Sequence, residues 1–135
     1  MSDSTRPPGV LIVDDDAAVR RLLETALTGH GFAVIVAKTG SQAVELLRSH
    51  TAAIGVVLLD VLMPDMDGPA TLRELRRIRP GIPICYHTAF SGDYSEDELL
   101  APGACALVIK PCPLDKLIAA LKALLHGRSI DGAVA

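Results

Sequence analysis

Apolar residues fall into five short runs that alternate with longer amphipathic stretches. The runs cover residues 10–13, 32–37, 54–59, 82–86 and 106–109. Each run is rich in Val, Ile, Leu or Ala and is followed by a polar turn, which is typical of strands buried on both faces. The regular alternation predicts five βα units, (βα)5, in an α/β fold whose helices cover both faces of a parallel sheet.

Helical periodicity and capping signals support the same division. Thr39 with Gln42, and Ser95 with Glu98, have the spacing of capping boxes, and Pro69 is placed like a first-turn proline. The first and last helical stretches repeat apolar residues on one face: Val19, Leu22, Leu23, Ala26 and Leu27 in the first, and Leu117, Ile118, Leu121, Leu124 and Leu125 in the last. These faces are predicted to cover the sheet.

The length of 135 residues predicts one domain with one core. Residues 1–9 and 127–135 lack periodicity and carry Pro, Gly or Ser. We therefore expect a flexible N-terminal tail at 1–9, a folded domain at 10–126 and a flexible C-terminal tail at 127–135.

Charge and cysteine content narrow the function classes. The 13 basic and 16 acidic residues give a net charge of −3, without the basic stripe that direct nucleic-acid binding requires. Three cysteines without metal-ligand spacing, Cys85, Cys105 and Cys112, argue against a disulfide framework and favour a reducing, cytoplasmic setting. No apolar run approaches the roughly 18 residues of a membrane span, so no membrane association is expected.

Polar and charged residues follow the predicted strands at one edge of the sheet. Strand 1 leads into Asp14-Asp15-Asp16 and strand 3 into Asp60, while strand 4 ends near Thr88 and strand 5 at Lys110. Carboxylates that converge there would repel one another unless a hard cation compensated them, and oxygen ligands favour Mg²⁺, with Mn²⁺ as an alternative. A lone aspartate after a strand is more often a helix cap, and this is the role predicted for Asp16.

The same residues suit phosphoryl chemistry. Asp60 could act as a carboxylate nucleophile. The metal and the Lys110 ammonium would offset the charge of an incoming phosphoryl group, while Thr88 donates a hydrogen bond to one of its oxygens. The hypothesis depends on four chemically matched residues at the same position in successive βα units.

Four segments resemble the receiver domain of two-component signalling. They are Val10-Leu-Ile-Val-Asp-Asp-Asp16, Leu59-Asp60-Val-Leu-Met-Pro-Asp-Met-Asp-Gly68, Thr88-Ala89 and Lys110-Pro111. The resemblance extends from about Val10 to Leu125. It implies a doubly wound, flavodoxin-like three-layer sandwich with a five-stranded parallel sheet of order 2-1-3-4-5, as in the chemotaxis member of the family.

The resemblance also implies a role for each site residue. Asp60 is the expected phosphoacceptor, Thr88 the switch hydroxyl and Lys110 the ion-pair partner of the phosphoryl group. Asp15, Asp60 and the backbone carbonyl of Leu62 are expected to bind the metal directly, and Asp14 through water. A cis peptide bond before Pro111 is expected, and the phosphoryl donor would be a sensor histidine kinase or a histidine phosphotransfer protein.

Two positions, Leu107 and Cys112, depart from the commonest family pattern, and two more, Leu62 and Phe90, bear on the rate of dephosphorylation. Leu107 stands where many receivers carry a Tyr or Phe that rotates on activation, so coupling to the surface is expected to use other residues. Leu62 and Phe90 stand at the positions that flank the phosphoryl group in this family, and their apolar side chains cannot orient a hydrolytic water, which predicts slow self-dephosphorylation. Cys112 is a poor helix cap, so Pro113 is expected to start the last helix.

The predicted function is a phosphorylation-dependent binding module that turns over no external substrate. Its output would be a changed surface for an unknown protein target, and homodimerisation stays open. The alternatives are a receiver excised from a hybrid histidine kinase or a larger response regulator, and a phosphorylation-independent interaction domain. A haloacid dehalogenase type phosphatase is disfavoured by Leu62, where its second acid would stand, and a flavin protein by the three aspartates, which would repel the flavin phosphate.

Overall fold

The computed structural model describes residues 7–89, 94–100, 104, 106–128, 130 and 133–134. In chain order the elements are β1 (Gly9–Val13), α1 (Ala17–Gly29), β2 (Ala33–Ala37), α2 (Gly40–Ser49), a 3₁₀ turn (Thr51–Ala53), β3 (Val56–Leu59), α3 (Gly68–Ile78), β4 (Ile84–Thr88), α4 (Glu96–Leu100), β5 (Ala106–Ile109), α5 (Leu114–Leu125) and β6 (Ala133–Val134). No helix within these residues is long and apolar enough to cross a membrane.

The strands form one parallel sheet in the order β2-β1-β3-β4-β5-β6. The predicted order 2-1-3-4-5 of the five main strands is confirmed. The predicted number of strands is corrected, because the two residues of β6 pair with Leu107 and Val108 of β5. This sixth strand lies in the segment expected to be a tail, where the short pattern Ala-Val gives little periodic signal. It adds to the sheet because the outer edge of β5 offers backbone groups for pairing.

The sheet separates two apolar clusters, so the fold has three layers. Alternate residues of β1 point to opposite faces: Leu11 and Val13 belong to one cluster, and Val10 and Ile12 to the other. The first cluster includes residues of α2, α3 and α4, and the second includes residues of α1 and α5. This arrangement confirms that the first and last helices cover the sheet, but Leu22, predicted on the covering face of α1, is 69% exposed and lies outside the cluster. The carboxyl ends of the strands stay open for a site.

Two helices, α1 and α5, begin as the sequence predicts. The Asp16 carboxylate accepts hydrogen bonds from the backbone N–H groups of Ala18 and Val19, at 2.9 and 3.3 Å, so it caps α1. Pro113 precedes α5 without a side-chain cap, as expected from Cys112. The strand predicted at residues 82–86 is displaced to Ile84–Thr88. The Pro83 carbonyl still accepts from the Val57 N–H at 3.0 Å, but Pro83 has no N–H to donate, and the strand begins after it. Phe90 and Cys105 lie outside the described residues.

Candidate functional site

Three aspartates meet where β1 and β3 end side by side. The register pairs Val13 with Leu59, so the next residues, Asp14 and Asp60, leave the sheet together. The Asp60 N–H donates to the Val13 carbonyl at 2.9 Å. Each of Asp14, Asp15 and Asp60 offers a carboxylate oxygen, and these oxygens all lie within 4.8 Å of one another. The sheet itself therefore produces a concentrated negative charge.

Lys110 brings a positive charge from the end of β5 to this cluster. Its Nζ donates to Asp14 Oδ2 at 3.0 Å, and the other oxygen of Asp14 accepts from the Asp16 N–H at 2.9 Å. Asp14 is 2% exposed, so its charge is held by these donors and not by bulk water. The Lys110-Pro111 peptide bond is cis, as the resemblance implied.

The carboxyl of Asp60 is held in an unusual electrostatic state. Burial raises its pKa from 3.8 to about 6. The Lys110 ammonium and the Val61 backbone N–H lower this pKa, whereas the carboxylates of Asp14 and Asp15 raise it. Any additional positive charge placed beside Asp60 would therefore stabilise its ionised form.

The donor set fits a hard divalent cation. The Lys110 ammonium, ion-paired with Asp14, supplies one positive charge to a cluster of three carboxylates, and oxygen is the ligand type that Mg²⁺ prefers. Asp15 is exposed and the other two acids are buried, which leaves the cluster accessible from one side. The loop after Asp60 returns tightly, because a side chain at Gly68 would meet the Asp60 carbonyl oxygen at 2.8 Å. This loop carries Leu62, whose carbonyl is the further metal ligand that the resemblance predicts.

Thr88 ends β4, next to the strand that leads into Lys110. It is 2% exposed, and its carbonyl accepts from the Lys110 N–H at 2.8 Å. The structure thus brings Asp14, Asp15, Asp60 and Lys110 into one cluster and places Thr88 on the neighbouring strand end. It leaves the assigned roles of Thr88 and of the Leu62 carbonyl as predictions.

Two features near the site were not predicted from the sequence. Tyr94 Oη donates to Asp67 Oδ2 at 2.6 Å and so joins the segment before α4 to the start of α3. His87 is buried, and desolvation together with the Lys110 charge lowers its pKa to about 4, so it is neutral at pH 7. The Tyr94–Asp67 hydrogen bond joins residues 27 positions apart, and no local pattern in the sequence indicates that Tyr94 is the partner of Asp67.

Comparisons with known proteins agree with this geometry. The family model of the response regulator receiver domain matches residues 10–122. The transcriptional regulatory protein ZraR of Escherichia coli K12 is 42% identical over 123 residues, which are 90% of this chain and 27% of that protein. The response regulator MprA of Mycobacterium sp. KMS is 36% identical over 125 residues, 93% of this chain and 54% of that protein. The chain thus spans between about a quarter and a half of these two relatives.

A solved structure shows the same architecture. CheY of Borrelia burgdorferi, in a complex with CheX, BeF₃ and Mg²⁺, superposes with a TM-score of 0.83 at 28% sequence identity. The match covers 90% of this chain and 92% of that one. With the strand order, the acidic cluster and the family model in agreement, the chain belongs to the response regulator receiver domain family, a family of signalling domains.

Proposed function

We propose that this chain accepts a phosphoryl group on Asp60 from a phosphohistidine of a sensor histidine kinase or a phosphotransfer protein. The observation that supports this most directly is the meeting of three carboxylates within 4.8 Å beside the Lys110 ammonium. A structural role alone would not require three clustered acids with one of them at a raised pKa.

The proposed reaction transfers the phosphoryl group from a histidine nitrogen of the donor to the carboxylate of Asp60. With a pKa of about 6, the carboxyl is mostly ionised at pH 7 and can attack phosphorus. An oxygen–phosphorus bond forms as the phosphorus–nitrogen bond of the donor breaks, and the donor imidazole keeps the electron pair and takes up a proton. Lys110 offsets the charge of the phosphoryl oxygens, and the Thr88 hydroxyl donates a hydrogen bond to one of them.

Asp15, Asp60 and the Leu62 carbonyl would hold a divalent cation, with Asp14 acting through water. Bound Mg²⁺, or Mn²⁺ in its place, supplies charge neutralisation for the phosphoryl oxygens. Lys110 alone provides one positive charge against three carboxylates and is already engaged by Asp14. The proposal therefore requires a bound cation for Asp60 to accept the phosphoryl group.

The output is a change in a protein-binding surface, without turnover of an external substrate. We place the domain in the cytoplasm, where its phosphohistidine donors act. ZraR is named a transcriptional regulator, but this chain covers 27% of it. We assign no direct nucleic-acid contact to the domain, because its net charge is −3. Attachment to a hybrid kinase and homodimerisation stay predictions.

Intact-mass measurement after incubation with acetyl phosphate and Mg²⁺ tests the proposal. We expect one added phosphoryl group in the wild type, none in Asp60→Asn, and a strong reduction when EDTA replaces Mg²⁺. Asp65→Asn is the matched control, since it removes an exposed acid from the same loop outside the cluster. Wild-type protein without added mass, or Asp60→Asn with undiminished mass, would contradict the proposal and favour a phosphorylation-independent interaction domain.

A further inference from the structure

A cavity of about 290 Å³ lies between α1 and the first turn of α5, beside the turn that follows β5. Its apolar wall is formed by Val19, Leu22, Leu23, Ala26, Leu114 and Leu117. Two of these large apolar side chains are open to solvent, since Leu22 is 69% exposed and Leu114 is 36% exposed. Exposed apolar surface around a concave site is typical of ligand binding.

His87 places an imidazole in the wall of this cavity. Cys85, two residues earlier in β4, packs in the cluster of α1 and α5, and alternate residues of a strand share a face, so His87 points toward the same two helices. His87 is 8% exposed, and its Nδ1 has no hydrogen-bond partner among the described residues. A buried polar atom in this state costs free energy, which a bound molecule with a hydrogen-bonding group would recover.

The charges beside the cavity favour an uncharged ligand. Desolvation and the Lys110 ammonium lower the pKa of His87 to about 4, so its imidazole is neutral at pH 7 and has one donor and one acceptor nitrogen. Lys110 also lines the cavity, but its Nζ is ion-paired with Asp14 Oδ2 at 3.0 Å. An anion would therefore lose its hydration among leucines with little compensation, and a cation would be repelled by Lys110.

The volume of the cavity and the imidazole together define the class of ligand. An apolar protein cavity of about 150 Å³ binds benzene, so a cavity of about 290 Å³ has room for a substituted aromatic ring. A hydroxyl on such a ring both donates and accepts. It can therefore pair with either nitrogen of the neutral His87 imidazole.

We propose that this cavity binds a small uncharged phenol, whose ring packs against the leucines of α1 and α5 and whose hydroxyl is hydrogen-bonded to the His87 imidazole. The His87 cavity consists of the six apolar residues named above with His87, Lys110, Pro111 and Cys112. Lys110 is shared between the wall of this cavity and the acidic cluster. Binding of the phenol needs neither a cation nor a phosphoryl group, so the site is independent of the proposed function.

Titration of the unphosphorylated protein with 4-fluorophenol in EDTA, followed by ¹⁹F NMR, tests the proposal. Fluorobenzene is the matched probe without a hydroxyl. We expect saturable binding of 4-fluorophenol to the wild type. In His87→Leu, the ratio of the affinities for 4-fluorophenol and fluorobenzene should fall by about tenfold, because leucine fills a similar volume without a polar atom.

A variant that fills the cavity tests the location of the probe. In Ala26→Leu the added side chain occupies the cavity, so binding of both probes should be lost. Ala123→Leu is the matched control, since Ala123 is a half-buried alanine of α5 outside the cavity wall, and both probes should bind it as they bind the wild type.

A measurement on the wild type needs no variant to fold. His87 is the buried one of four histidines, and the other three are exposed. In protein labelled with ¹⁵N-histidine, the nitrogen resonances of the buried imidazole should shift with 4-fluorophenol and much less with fluorobenzene. Three results would each overturn the proposal: no saturable binding of 4-fluorophenol, unmoved resonances of the His87 imidazole in its presence, or undiminished binding in folded Ala26→Leu. An unchanged affinity ratio in folded His87→Leu would likewise refute it.

Discussion

The two ends of the parallel sheet are built by opposite rules. At the amino ends, polar groups are paired: the Gly55 N–H donates to the Gly9 carbonyl at 2.8 Å, and Arg79 Nη1 donates to the carbonyls of Thr51, at 2.9 Å, and Ile54. At the carboxyl ends, three carboxylates stand together beside one lysine. The paired groups at the amino ends contribute to stability. The clustered carboxylates at the carboxyl ends are charges that selection for stability alone would not retain.

The largest effect on stability should come from adding a side chain at Gly9, at the amino ends of the strands. In Gly9→Ala the new Cβ would point directly onto the Ala53 carbonyl oxygen, which belongs to the backbone and cannot turn aside. We expect the free energy of unfolding to fall by about 3 kcal/mol in urea denaturation. Gly81→Ala is the matched control because no described residue other than its chain neighbours lies within 4 Å of the position that its new methyl group would take, and it should change stability little. Equal losses in both variants would contradict the comparison.

Removing the arginine at the paired end should have a smaller effect. Arg79→Met keeps much of the side-chain length but leaves the carbonyls of Thr51 and Ile54 without this donor. We expect a loss of about 2 kcal/mol in the same denaturation experiment, with Mg²⁺ affinity of the folded protein unchanged. A large change in Mg²⁺ affinity would show that the two ends are not independent.

Neutralising the charged end should stabilise the metal-free protein. The folded pKa of Asp60 is about 6 against an ordinary 3.8, so wild-type stability falls as pH rises between these values. In EDTA at pH 7.5, Asp60→Asn should be more stable by on the order of 1 kcal/mol, since solvent contact screens part of the penalty. Melting curves should show this advantage disappearing near pH 4; a gain that is the same at both pH values would point to packing instead.

The smallest expected effect concerns the lifetime of the phosphorylated state. Leu62 is 38% exposed and offers no polar side-chain atom beside the phosphoryl position. Leu62→Asn should speed dephosphorylation a few-fold, because an amide can orient the attacking water. Decay of the phosphoryl mass with time measures the rate, and Leu114→Asn, at another partly exposed leucine, is the control. Identical decay in Leu62→Asn and the wild type would remove this explanation of a long lifetime.

Prediction from sequence succeeded where the signal is local or repeated. The alternation of strands and helices and the cap at Asp16 follow from periodicity and from residues within one turn of each other, whereas the order of the strands was implied by the family resemblance. The Tyr94–Asp67 hydrogen bond joins residues from different βα units, and no local pattern specifies such a pair. The burial and low pKa of His87 likewise depend on what α1, α5 and Lys110 place around it, which only the assembled fold determines.

The two-residue strand β6 has a consequence for assembly. By pairing with Leu107 and Val108 it engages main-chain groups along the border of β5 that could otherwise template a strand from another molecule. A strand from another molecule that pairs with Leu107 and Val108 must therefore first displace Ala133 and Val134. The two residues of β6 thus determine how readily another strand can pair with β5.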